Sequence, residues 1–235
     1  MKPDLNMKTR YCILYLAAIL WLIPQISHGQ PGDRELRRAR EAFAEGVRKG
    51  VDREFEQAIV HFDQALTLNP YYSDAIIYRG LAKLELEMFR SALTDFETVL
   101  RLDGDQATQA HYFIALAHAG LLNHREAIHY LTRALEVNPD HHMYFQRGKA
   151  YHAIGDHGNA LQDLDMAMAL NPAFPEGFLL RGKTRFHLEL FREALDDLTA
   201  VRETFEGDPE FHYYLGMTLE ALGNKEEARP HLALA

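Results

Sequence analysis

The sequence predicts an all-α solenoid of six helix–turn–helix repeats, and three columns of residues carry that prediction. Alanines inside similar strings (QAIVHF, SALTDF, EAIHYL, NALQDL, EALDDL, EARPHL) recur at Ala58, Ala92, Ala127, Ala160, Ala194 and Ala228, separated by 34, 35, 33, 34 and 34 residues. Twelve residues before each stands another small residue: Gly46, Gly80, Ala115, Gly148, Gly182 and Gly216. Four residues after each comes a large apolar one: Phe62, Phe96, Leu131, Leu164, Leu198 and Leu232. Six copies in one register make the period a property of the whole array.

The elements follow in chain order. Residues 1–29 read as an export signal: Lys8 and Arg10 give a basic start, Tyr11 to Ile23 is apolar, and Ser27-His28-Gly29 offers small residues for cleavage before Gln30. An apolar run of about 13 to 16 residues is short of the roughly 20 that span a bilayer, so no stable membrane span is expected after cleavage, the competing reading being an uncleaved anchor. The expected location is the periplasm or the secretory space. The single cysteine, Cys12, leaves with the signal.

Residues 30–38 extend the first helix at its start, with Asp33 as a cap. The repeats then occupy 39–72, 73–107, 108–140, 141–174, 175–208 and 209–235, the last one incomplete. Apolar residues spaced by three and four form one helix face, and Pro or Gly between such runs separates two short helices per repeat. Asn69-Pro70, Asn138-Pro139 and Asn171-Pro172 close three repeats. Glycine inside a helix costs about 1 kcal/mol relative to alanine, so a glycine column implies close helix approach, with the alanine column as the expected partner. A lone hairpin cannot bury both its faces, so the repeats must stack.

Small residue, alanine, large apolar residue and closing proline together resemble the tetratricopeptide repeat family over about Ala39 to Ala235. Departures are local: Gly104 replaces a closing proline, the fifth repeat runs through Thr204-Phe205-Glu206 without one, and Lys49 stands where an aromatic is common. The resemblance implies a right-handed superhelix whose first helices line a concave groove for a peptide or a partner helix. On that wall the family places the position three before each small residue, here Phe43, Ile77, Tyr112, Phe145, Leu179 and Tyr213. One turn on come Val47, Leu81, Leu116, Lys149, Lys183 and Met217. Such a strip suits a partly apolar peptide presenting a carboxylate to Lys149 and Lys183. The family's lysine and asparagine clamp for a terminal carboxylate is absent, since Val47, Tyr78, Gln109 and Phe113 hold its places.

A further pattern pairs arginine with aspartate. Arg79, Arg147 and Arg181 precede the small residue in three repeats, and Asp95, Asp163 and Asp197 precede the large apolar residue in those same repeats. The co-occurrence predicts partly buried bidentate ion pairs between the two helices of a hairpin.

Composition excludes several functions. The leader removes Lys2, Lys8, Arg10 and Asp4 from 25 basic and 34 acidic residues, leaving a formal charge of about −11, which disfavours nucleic acid and anionic membranes. No phosphate-cradling glycine loop occurs, and no cofactor is implied. Ser73 and Ser91, the serines after the signal, sit at expected helix starts, where capping explains them. His124 and His129 are five residues apart, too far around a helix to share a metal. His141 and His142 open a helix and are expected to point apart. A metal site would need His152 and His187 to converge with a carboxylate.

The expected function is therefore a non-catalytic scaffold or adaptor that binds another protein or peptide. Leu232 and Leu234 near the last repeat's end suggest self-association into a homo-oligomer. The alternative readings are a regulatory subunit of an envelope enzyme and a histidine-based metal-binding protein.

Overall fold

The computed structural model describes residues 31–102 and 107–235, and every regular element within them is helical. The expected signal, Cys12 and Gly104 lie outside the described residues. The helices are α1 (Pro31–Val51), α2 (Phe55–Leu68), α3 (Ser73–Glu85), α4 (Phe89–Leu102), α5 (Ala107–Gly120), α6 (His124–Val137) and α7 (His141–Ala153). They continue with α8 (His157–Leu170), α9 (Pro175–His187), α10 (Phe191–Ala200), the single turn α11 (Arg202–Phe205), α12 (Pro209–Ala221) and α13 (Lys225–Leu232). No helix among the described residues is long and apolar enough to cross a membrane.

Two compact units divide between Asn123 and His124. In the first, α1 pairs with α2 and α3 with α4, while α2 packs on α3 and α4 on α5. In the second, α7 pairs with α8, α9 with α10 and α12 with α13, while α6 packs on α7, α8 on α9 and α10 on α12.

The glycine column has a direct cause. A Cβ at Gly46 would lie 2.6 Å from the Phe62 ring, and one at Gly80 2.6 Å from Phe96. At Gly148, Gly182 and Gly216 the nearest atoms belong to Leu164, Leu198 and Leu232, at 3.1, 2.9 and 2.7 Å. The glycine thus faces the large apolar residue rather than the alanine expected from sequence. At two of these glycines the alanine enters second, its carbonyl oxygen 3.3 Å and 3.4 Å from where a Cβ on Gly148 and Gly182 would lie. Ala58, Ala92, Ala160, Ala194, Phe62, Phe96, Leu164 and Leu198 are all buried, each large side chain contributing roughly 1.5 to 3 kcal/mol.

Every hairpin turns on one residue in the left-handed region: Arg53, Glu87, Leu122, Gly155, Glu189 and Gly223, at φ of 63, 57, 60, 80, 58 and 86°. The next amide always reaches back five residues, as Met88 N to the Lys83 carbonyl at 2.8 Å and Leu190 N to that of Arg185 at 2.9 Å. Two of the Asn-Pro closures work through the asparagine side chain: Asn69 and Asn171 accept from the amides of Tyr71 and Ala173 at 3.3 and 3.2 Å.

Three capping expectations need correcting. Ser73 is already the first residue of α3, whose preceding Tyr72 makes no side-chain cap, Asp33 lies inside the first turn of α1, and Ser91 is the third residue of α4. Aspartate caps occur elsewhere, with Asp140, Asp156 and Asp208 accepting from His142, Asn159 and Glu210 amides. Where the fifth repeat lacks a closing proline, Val201 breaks the helix and α11 carries the chain on, its Phe205 packing against the Leu198, Val201 and Phe211 core.

Candidate interaction surface

The structure brings each arginine onto its aspartate with two parallel hydrogen bonds. Arg79 Nε and Nη2 donate to Asp95 at 3.1 and 2.6 Å, Arg147 to Asp163 at 2.7 and 2.7 Å, and Arg181 to Asp197 at 2.9 and 2.7 Å. The three aspartates are only 3 to 5% exposed. Hydrogen bonding to Asp163 and Asp197 raises the pKa of Arg147 and Arg181 against the opposing effect of burial.

Sequence reasoning missed half of this device. The third donor of each guanidinium crosses to the preceding repeat: Arg79 Nη1 to Asp63 at 2.6 Å, Arg181 Nη1 to Asp165 at 2.9 Å, and Arg147 Nη1 to Thr132 at 3.0 Å. The signal was present, because Asp63 and Asp165 lie sixteen residues before their arginines just as Asp95 and Asp197 lie sixteen after. One planar fork therefore fixes the register within a hairpin and between hairpins. Asp95 and Asp197 each hold a second cation, Lys83 and Arg185, both at 2.7 Å.

The strip assigned to a groove wall needs correcting at seven of its twelve positions. Phe43, Val47, Ile77, Leu81, Phe145 and Leu179 are buried, because they fill the space between neighbouring helices. Phe43, for example, packs its ring 5.0 Å from Tyr72 and 5.3 Å from Tyr78, and Phe145 lies 4.8 Å from Phe174. Lys183 is not open to a ligand carboxylate either: it is buried to 8% exposure, with Nζ 2.8 Å from Glu210. Tyr112, Leu116 and Met217 are half-buried, while Lys149 and Tyr213 are exposed.

Histidines gather more than spacing suggested. The rings of His141 and His142, expected to point apart, have centroids 3.6 Å apart, and with Asp140 their ligand atoms lie within 4.8 Å of one another. In the last hairpin His212 Nε2 donates to the Glu206 carbonyl at 2.7 Å, which leaves its Nδ1 to accept from His231 Nδ1 at 2.9 Å. His231 Nε2 then accepts from Arg202 at 3.2 Å, so α12, α13 and the α11 segment are joined by one chain of hydrogen bonds.

Tandem helical hairpins, sealed by glycine-on-ring contacts and cross-repeat arginine forks, define a helical-repeat protein. A family profile described as tetratricopeptide repeat matches residues 116–175 and 179–235, and the chain belongs to the tetratricopeptide repeat family. It is 30% identical over 148 residues to tetratricopeptide repeat protein 13 of Homo sapiens, which covers 60% of this chain and 17% of that protein. The chain thus spans about a sixth of that relative. Two solved structures share the fold. YrrB, described as a TPR protein with an unusual peptide-binding site, matches at TM-score 0.61 and 23% identity over 84% of this chain and 98% of its own. PilW, described as a widely conserved type IV pilus biogenesis factor, matches at TM-score 0.68 and 20% identity over 88% and 92%.

Proposed function

We propose that this chain is an exported, non-catalytic scaffold that binds another protein or a peptide on the faces of its first helices. The observation that carries the reading is where the side chains go. The second helices supply the alanine column and the buried aspartates, whereas α5, α7 and α12 keep Tyr112, Leu116, Lys149, Tyr213 and Met217 at or near the surface. Family membership supports an interaction role, and YrrB, with its described peptide-binding site, supports a peptide as one class of ligand. Aromatic and methionine side chains, together with the exposed Lys149, suit an apolar segment that carries acidic residues.

Photo-crosslinking in the native cells tests this. A benzoylphenylalanine at Tyr213 or Tyr112 captures one defined partner, and the same probe at Val60 or Leu170, exposed on second helices, does not. Equal capture at both sets of positions overturns the assignment. Export is tested separately by amino-terminal sequencing of the mature protein, expected to begin at Gln30. Self-association through the last repeat forms a further part of the reading. Leu232 packs under Gly216, so Leu234, at 59% exposure, is the side chain offered there.

A further inference from the structure

The first residue of each second helix occupies one column: Phe55, Phe89, His124, His157, Phe191 and Lys225 open α2, α4, α6, α8, α10 and α13. Three of the six positions hold phenylalanine, and Phe55 is buried. In the fourth repeat that slot holds an imidazole whose Nδ1 is shielded from solvent and has no hydrogen-bond partner. A buried polar atom left unpaired costs about 1 to 3 kcal/mol, a penalty that phenylalanine would avoid. A nitrogen retained there points to a ligand.

Two further imidazoles surround it. His152, near the end of α7, has its ring centroid 4.9 Å from that of His157. His187, the last residue of α9, lies 4.6 Å from His157 and 5.4 Å from His152. Three imidazoles on one ion at a metal–nitrogen distance of about 2.0 to 2.1 Å have ring centres about 4.5 to 5.3 Å apart for bond angles between square and tetrahedral. Two of the observed spacings fall within that range and the third, 5.4 Å, lies just beyond it; the ligand nitrogens themselves are not gathered within 4.8 Å of one another, so binding requires the rings to turn.

Outer partners orient two of the rings. The Thr184 hydroxyl donates to the Leu180 carbonyl at 2.7 Å, so its oxygen accepts from His152 Nδ1 at 3.0 Å, leaving the lone pair on Nε2. His187 Nε2 lies 3.1 Å from the Tyr214 hydroxyl, which leaves Nδ1 on its other side. Fixing one nitrogen so that the other can ligate is how proteins orient metal-binding histidines.

We propose that His152, His157 and His187 form a binding site for a borderline divalent transition ion of the zinc or copper class, with a further coordination position open to solvent. The rings of His157 and His187 now lie parallel, within 4°, and binding turns His157 so that its Nδ1 meets the shared point. His187 is exposed and gives the ion its way in. Asp156 and Glu210 bring negative charge to the cluster, while the opposing ammonium of Lys183 is tied to Glu210. Asp140, His141 and His142, whose ligand atoms already lie within 4.8 Å of one another, form the competing site, with one Asp140 oxygen engaged by the His142 amide as the cap of α7. The proposal is independent of the scaffold reading.

Calorimetric titration of the untagged chain with zinc chloride alone at pH 7.5 tests it. The expected result is one saturable ion per chain, with a raised thermal midpoint. His157→Phe, which restores the side chain of the sister repeats, keeps or raises the metal-free midpoint and weakens zinc binding at least about tenfold. His187→Ala, at an exposed ring, gives the same loss and decides the matter should the first variant not fold. His142→Ala leaves binding unchanged. Absence of saturable binding by the wild type, undiminished binding by the deciding variant, or loss of binding in His142→Ala overturns the proposal.

Discussion

Asp197 accepts from Arg181 and Arg185 while only 3% exposed, so its removal strands two guanidinium groups in a half-buried site. Breaking a buried pair by deleting one partner costs about 3 to 5 kcal/mol, whereas an exposed pair is worth about 0 to 1 kcal/mol. Asp197→Ala is therefore expected to lower the urea midpoint strongly and Asp165→Ala, the half-exposed third acceptor of Arg181, only slightly. Equal effects in equilibrium unfolding would show that the fork is not an energetic centre. A second residue-scale effect lies in the turns. Glu87 and Glu189 hold φ near +58° without the freedom of glycine, which Gly155 and Gly223 have at the same place. Glu87→Gly is expected to stabilise by about 0.5 to 1 kcal/mol and Gly155→Ala to destabilise by a similar amount, read by chemical denaturation. The forward partner of each arginine was legible in the sequence because both residues change together between repeats. The left-handed turn was not, since four of the six residues that adopt it are not glycine.

At the scale of the hairpin, what matters is how closely the first helix rests on the second. Phe96 is fully buried and its ring covers the bare backbone of Gly80, leaving a new methyl group no room to be accommodated. Gly80→Ala is expected to cost about 1 to 3 kcal/mol, and Gly80→Ala with Phe96→Leu to recover part of that loss, because Gly148 and Gly182 already rest on leucines. Gly207→Ala, with nothing within 4 Å of its added Cβ, serves as the neutral control in the same thermal melts. Helix pairs were readable from column spacing alone, because a period of about 34 residues with one small and one large partner leaves few ways to pack. Which of the two columns the glycine meets was not readable: the choice depends on the rotation of each helix about its axis.

For the whole molecule, stability should fall in acid, and the sign follows from burial. His142 and His152 have pKa values lowered from 6.5 to about 4, and that of His231 is lowered too, burial being the first cause in each case. Below pH 6.5 the unfolded chain takes up protons that the folded one refuses, so this contribution is complete above 6.5 and is lost as pH falls toward 4. Thermal midpoints are expected to be level from pH 7 to 8 and to drop steadily between pH 6.5 and 4.5. The drop should be smaller in His152→Phe. In a repeat array each unit depends mainly on its neighbours, so the acid effect should fall on the second compact unit, where all three histidines lie. Hydrogen exchange at pH 5 resolves this, with amides of α7 and α12 losing protection before those of α3.

The sequence by itself determined the number of repeats, the two-helix unit, the small and large columns and the arginine–aspartate pairs. All of these repeat along the chain, and repetition shows in spacing. Only the tertiary structure decided which apolar residues of the first helices are interior and which are offered outside. Phe145 and Tyr213 occupy one sequence column yet differ in burial, because what covers a side chain is set by neighbours that one repeat's sequence does not contain. The gathering of His152, His157 and His187 from three helices was settled in the same way, by packing distances that no linear motif encodes.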